Sequence, residues 1–364
     1  MKKTLVAVAA MAVVTGAMAN VTLYGNIDQA YVKSTTTVDS AQTASTTKMT
    51  SYQMGGSQIG VKGEEDLGGG LKASFLQELN VLTDTDTGSV GTRQAYVGLS
   101  GGFGAVRIGK QYSAAFFNML NADPFGATGG TGALYVSNIL VGNGAGGDNP
   151  LRQDKAIQYE LPTFVPGLRA VVTKVFAGTD TTDGSGEKTG DSTGYGFVYA
   201  SGPLNVGFTS DSITGQSIAA IASSTVAAFV DTDGTTTAAV TTAGVDAVAG
   251  SKTKLTTMTL SYDLGVAKVS YGDSKIMNSG AGVKVTMYGV AVPMGAVTLM
   301  ATQSTGTANA LAGDTSLKGT QYGANYALSK RTVAYWHVNN STSTTIANEV
   351  TKVKGFGLGV HHSF

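Results

Sequence analysis

Alternating side-chain character, repeated over segments of about ten residues, is the feature that most constrains this chain. In Thr256–Leu264, the residues Met258, Leu260, Tyr262 and Leu264 share one face of an extended strand, and Thr257, Thr259, Ser261 and Asp263 share the other. Lys318–Ser329 repeats the arrangement, with Tyr322, Ala324, Tyr326 and Leu328 opposed to Gly319, Gln321, Asn325 and Ser329. Successive strand residues point to opposite faces, so each segment has an oily side and a wet side. Beyond the N-terminus no stretch is apolar enough to cross a membrane as a helix. Near-zero mean hydropathy is therefore compatible with a membrane protein whose alternate residues meet lipid and water.

The connections alternate too. Short ones are Glu65–Gly70, Gly101–Gly102, Pro162–Gly167, Ser201–Pro203, Asp263–Gly265, Pro293–Gly295 and Ser329–Arg331. Long ones are Ser34–Thr50, Asp84–Gly91, Ser113–Pro150, Gly178–Gly190, Ser212–Ser251, Ser274–Gly280, Thr305–Thr315 and Asn340–Val350. Short turns at one rim and long loops at the other are the pattern of an outer-membrane barrel, here of about sixteen antiparallel strands with both termini at the short-turn, periplasmic rim. Arg169–Ala177 and Lys284–Val292 alternate weakly. The Ala/Thr/Val-rich stretch Ile218–Gly250 is compatible with an extra hairpin, and is read as an external loop with local hairpin structure.

Met1–Ala19 places Lys2 and Lys3 before an apolar core and ends in Ala17-Met18-Ala19, the pattern of a cleaved signal peptide. Residues 20–364 then form a single barrel domain. Without Lys2 and Lys3, the 24 basic side chains of the chain fall to 22, against 24 acidic ones. Such a balance gives no field to attract nucleic acid. Cysteine is absent, which excludes a disulfide framework and thiolate metal sites. Gly 50 against Pro 6 suits strands and turns.

Residues 113–150, the third long connection, keep neither a sustained helical nor a sustained strand period. Long structureless connections tend to be functional. Phe116, Phe117, Met119 and Leu120 precede an Asp123-Pro124-Phe125-Gly126 turn and a glycine-rich return. That composition fits a loop folded into an interior and pinned at its tip. At the other end of the chain, Phe356, Leu358, Val360, His362 and Phe364 share one face. The terminal Phe364 after alternating apolar residues resembles the assembly signal of outer-membrane barrels.

Val21-Thr22-Leu23-Tyr24-Gly25, SQIGVKGEEDLGGGLKASF (Ser57–Phe75), TRQAYVGLSGGFGAVRIGKQY (Thr92–Tyr112) and the final GLGVHHSF together resemble the Gram-negative general porins, particularly the trimeric betaproteobacterial type. The resemblance runs from Val21 to Phe364 and is strongest before Arg152. It implies a sixteen-stranded barrel, a homotrimer and a third external loop folded inward. It also implies residence in the outer membrane among its lipid and lipopolysaccharide, insertion by the barrel assembly machinery, and no cofactor. The permeants would be ions and small hydrophilic solutes.

In that family, basic wall side chains face acidic groups on the inward loop. By motif, Arg93 and Arg152 match wall arginines. Gln58 stands where arginine is often found, so the wall is expected to be less positive than usual and the pore weakly ion-selective. Asn26 occupies a further lumen-facing position, and Lys62 shares the parity of Gln58. Lys72 and Arg107 are weaker lumen candidates. Asp123 is the acidic candidate on the loop, where it either faces the lumen or caps its turn, an ordinary use of Asp.

An enzyme finds little support. His361 and His362 are adjacent and so point to opposite faces, and no nucleophile elbow is present. Gly142–Gly147 lacks the strand-to-helix setting of a nucleotide site. Asp84–Gly88 lacks the distal glutamate of a calcium loop. The competing functional reading is a structural or adhesive surface β-protein, which needs neither the terminal Phe364 nor the alternation of loop lengths.

Overall fold

The computed structural model describes residues 20–51, 53–81, 91–126, 152–176, 191–213, 253–278, 281–310 and 313–364. The expected signal peptide, residues 127–150 of the inward loop, most of the second and fourth loops, and residues 214–251 of the Ala/Thr-rich stretch lie outside these.

Every strand pairs antiparallel with its neighbours in one sheet of seventeen segments. In chain order these are β1 (Asn20–Val38), β2 (Ala41–Thr50), β3 (Gln58–Gly68), β4 (Leu71–Asn80), β5 (Thr92–Gly101), β6 (Gly104–Tyr112), β7 (Arg152–Glu160), β8 (Leu168–Val175) and β9 (Ser192–Ser201). They continue as β10 (Leu204–Ile213), β11 (Thr253–Asp263), β12 (Lys268–Asn278), β13 (Ala281–Met294), β14 (Val297–Ala310), β15 (Gly313–Ala327), β16 (Thr332–Thr344) and β17 (Val350–Ser363). A helix, α1 (Ala114–Ala122), follows β6.

The sheet closes on itself. One edge of β1 pairs with β17, from Asn26↔Ser363 to Val38↔Thr351. Its other edge changes partner midway: Asn20–Asn26 pair with β3, and Ala30–Val38 pair with β2. β2 and β3 thus share one place in the wall, which makes the barrel sixteen-stranded. Closure leaves no open edge around the hydrocarbon belt, where unpaired backbone groups are costly.

Between β2 and β3 the chain leaves the wall and folds over the inner face of β1 and β17. Asp28 seats this insert. Its fully buried carboxylate accepts the backbone N–H groups of Gln53 (2.7 Å), Met54 (2.6 Å) and Gly55 (3.1 Å) through Oδ2, and the Tyr335 hydroxyl (2.6 Å) through Oδ1. Successive N–H groups turned to one point make an anion cradle, and Asp28 fills it. Met54 packs against the buried cluster of Ala30, Val32 and Tyr335.

The strands are taller on the loop side than expected from sequence. Residues 34–50, read as a long connection, are the paired upper parts of β1 and β2, joined by Asp39 and Ser40 at positive φ. Residues 305–315 are likewise almost wholly β14 and β15, and 274–278 belong to β12. Threonine and serine runs look like loops by polarity, yet threonine favours strands, and above the membrane both faces of a strand can be wet.

Candidate functional site

The inner face of the barrel is the one against which α1 packs, along β9 to β12. The helix begins where the Ser113 hydroxyl accepts the Phe116 N–H (3.1 Å), an N-cap. Its mostly buried sequence AAFFNMLNA carries apolar residues nearly all round, which is why no amphipathic period marks it. Two glycines provide its seat. A Cβ at Gly196 would lie 2.9 Å from the Ala114 Cβ, and one at Gly207 would collide with the Asn118 amide.

The helix ends in a tight turn. The Asp123 N–H donates to the Met119 carbonyl (2.9 Å), and the Asp123 carboxylate accepts the Phe125 N–H (2.9 Å). Gly126 follows at φ +68°. Phe125 then meets His337 of β16 edge-on, with ring centroids 5.0 Å apart. The third long connection thus crosses the bore from β6 past β9–β12 to the far wall.

Across from α1, β1 and β3–β8 line the inner wall. Outward-facing residues here are apolar and exposed, such as Val97 (61%) and Ile108 (54%). By strict alternation from Val97, Arg93 would join them. A register shift between β4 and β5 at Glu78/Leu79 turns it inward instead, as bulges do. Arg93 donates to Asn80 Oδ1 (3.0 Å) and to the Tyr112 hydroxyl (3.0 Å). Arg152, the first residue of β7, donates to the same hydroxyl (3.4 Å), with its guanidinium 5.1 Å from the centre of the Tyr112 ring. Tyr112 stacks on Phe116 of α1 at 4.1 Å. The two arginines are therefore brought together, and their shared tyrosine ties them to the helix.

Gln58 and Lys62 lie in a second group around Glu78. The buried Glu78 carboxylate accepts from the Tyr24 hydroxyl (2.8 Å), Gln94 (2.6 Å) and Gln58 (3.5 Å). The Lys62 ammonium sits 5.1 Å from the Tyr24 ring centre, a cation–π contact. Nearer the periplasmic rim, Arg107 and Arg169 each reach Glu160 Oε2 at 3.0 Å, and Arg169 lies over the Phe117 ring at 4.7 Å. Lys72 pairs with Glu64 at 2.6 Å, exposed beside the β3–β4 turn. Asn26 holds the Gly56 carbonyl of the insert (2.9 Å). Asp123, 6% exposed, bonds within its own turn, the capping alternative stated above.

Sequence reasoning did not find Glu78, Tyr112, Gln94, Glu160 or Arg169. Glu78 shares the inward parity of Lys72 within β4, but only cross-strand register brings it between Tyr24 and Gln94. Among the described residues no three His, Cys, Asp or Glu side chains gather to hold a metal ion.

The sheet closes into a barrel, the third long connection enters it, and Arg93 and Arg152 meet on the inner wall. A family model described as Gram-negative porin matches residues 4–345. The chain belongs to the Gram-negative porin family. It is 35% identical over 211 residues to the outer membrane porin protein 32 of Delftia acidovorans, covering 56% of this chain and 58% of that one. It is 46% identical over 113 residues to the major outer membrane protein P.IB of Neisseria meningitidis serogroup B, covering 30% and 34%. The chain thus spans between a third and about six-tenths of the length of these curated relatives. The anion-selective porin from Comamonas acidovorans superposes with a TM-score of 0.72 over 95% of this chain and 100% of that one, at 24% identity. A Salmonella typhi OmpF solved with daunomycin gives 0.67 over 94% and 97%, at 14% identity, a likeness of fold. The porin described here is an outer-membrane β-barrel of a family of channel proteins rather than enzymes.

Proposed function

We propose that this porin is a passive, weakly ion-selective channel for ions and small hydrophilic solutes, with its preference tilted toward anions. The observation that carries this reading is the convergence of Arg93 and Arg152 on Tyr112, facing a loop helix that has no charged residue. Selectivity in a wet pore depends on the charges lining its narrow part. Along the whole loop, residues 113–150, the only charged side chains are Asp123 and Asp148, and Asp123 is committed to its turn. Gln58 contributes no charge, and Glu78 offsets Lys62, which keeps the preference weak. The Comamonas porin that the fold resembles is described as anion-selective.

The same reading includes removal of Met1–Ala19, a homotrimer, and insertion by the barrel assembly machinery into a membrane faced with lipopolysaccharide. Reversal potential in a potassium chloride gradient across a planar bilayer tests the central claim. A modest anion preference is expected. A cation preference, or no conductance from folded protein, overturns it.

A further inference from the structure

The side of α1 turned toward the bore is apolar. Ala114 and Asn118 sit on Gly196 and Gly207 of the wall, so Phe117, Leu120 and Asn121, on the other side of the helix, face the lumen. They are among its least buried residues, and Leu120 is 37% exposed. The helix has no charged side chain to draw water there. The wall beside this patch is basic. Ile108, Ile157 and Val172 point outward and are exposed. By alternation along β6, β7 and β8, Arg107, Glu160 and Arg169 point inward.

Arg107 and Arg169 both reach the same oxygen of Glu160, each at 3.0 Å. Two positive charges thus share one negative charge, and the trio stays net positive. Both arginine side chains remain open to the bore, 26% and 33% exposed. A guanidinium carries several N–H donors in a planar fork, so sharing one carboxylate oxygen leaves each arginine able to meet a second anion. Aromatic faces hold the forks in place: Arg169 lies 4.7 Å from the Phe117 ring centre, and Arg107 lies 5.9 Å from that of Tyr96. Phe117 in turn meets Tyr112 edge-on at 6.0 Å, so the patch continues into the group formed by Arg93, Arg152 and Tyr112. Charge alone would serve any small anion. Joined to Phe117 and Leu120, it matches a solute with one anionic end and one oily body, since small-molecule sites set a few polar groups in an apolar lining.

We propose that this side of the bore is a transit site for aromatic carboxylates, with the carboxylate on Arg107 and Arg169 and the ring on Phe117 and Leu120. The inference rests on the channel reading and names the class of anion that the channel favours. Glu160 keeps the hold weak, as passage requires, because a permeant must leave as readily as it enters.

Single-channel chloride current in a planar bilayer tests it, with sodium benzoate, sodium lactate and benzamide added as probes. A probe held in the bore obstructs chloride and lowers the current. Benzoate is expected to do so at a concentration about fivefold below that of lactate or benzamide, because it alone has both the ring and the charge. Equal potency of benzoate and lactate overturns the apolar contact, and equal potency of benzoate and benzamide overturns the arginine contact. In Leu120→Asn the preference for benzoate over lactate is expected to fall about threefold, roughly the effect of one methylene left unburied. An unchanged preference overturns the seat of the ring on α1. In Arg169→Gln the potency of benzoate is expected to fall about threefold. A changed chloride current with benzoate potency intact would make Arg169 only a tie for the helix, and overturns the site. Where Leu120→Asn fails the heat-dependent gel shift of a folded barrel, Leu120→Ala is read in the same way. Chloride current without a benzoate preference sinks the transit site alone. Folded protein that passes no chloride sinks the channel reading. Saturation-transfer NMR of benzoate on the folded protein in detergent then decides the site, and transfer no greater than to lactate overturns it.

Discussion

Replacing Arg93 with glutamine removes one positive charge from the wall while leaving Tyr112 held by Arg152. The size of the effect follows from Coulomb's law. A monovalent ion passing about 6 Å from the guanidinium in a water-filled bore interacts with it by roughly 0.7 kcal/mol. Screening over a Debye length of about 8 Å at physiological salt halves this to roughly 0.3 kcal/mol. Anions lose that attraction and cations lose the equal repulsion, so the permeability ratio moves by about 0.7 kcal/mol, roughly threefold toward cations. The assay is the reversal potential of unmodified and Arg93→Gln channels in the same salt gradient. The shift is expected to shrink as ionic strength rises, since the effect is electrostatic. An unchanged reversal potential at low salt, with conductance retained, would show that permeating ions do not pass Arg93. A shift toward anions would refute the assignment of its charge to the wall.

Other perturbations reach different parts of the molecule. Asp28→Ala takes the shared acceptor from three backbone N–H groups and the Tyr335 hydroxyl. With lumen water replacing part of the loss, a destabilisation on the order of 3 kcal/mol is expected, read as a lower temperature for loss of the folded gel band and as noisier single-channel current. Gly207→Val forces Asn118 away from the wall and is expected to unseat α1. Single-channel conductance should then change, and an identical conductance would show that α1 does not set the bore. Phe364 exchanges backbone hydrogen bonds with Gly25 where the chain ends meet, and Phe364→Ala is expected to slow insertion into vesicles several-fold while the folded product keeps its conductance.

The barrel was legible because its solvent conditions are written at single-residue period: Met258, Leu260 and Tyr262 must meet lipid, while Thr257, Thr259 and Ser261 must not. The inward loop was legible from its length and its apolar first half. Its helix was not, because the less buried face of AAFFNMLNA, formed by Phe117, Leu120 and Asn121, is itself mostly apolar and leaves no polar stripe. β1, β2, β14 and β15 stand taller than their polarity suggests, because a strand above the membrane loses the lipid-facing half of its pattern. Within the site, Arg93 was named from a motif, yet simple alternation would send it outward; the bulge beside Glu78 reverses it. Glu78 and Tyr112 depend on register between strands, which no single segment encodes.

The seat of the insert has a bearing on how the molecule is made. Asp28 and Tyr335 are 307 positions apart in the chain, and they meet only when the first strand finds the last. Backbone donors at Gln53, Met54 and Gly55 can gather round the carboxylate early, but the tyrosine hydroxyl arrives with the final seam. The bolt inside the doorway is therefore thrown by the closing of the door, and a half-zipped barrel cannot yet hold its own interior fittings in place.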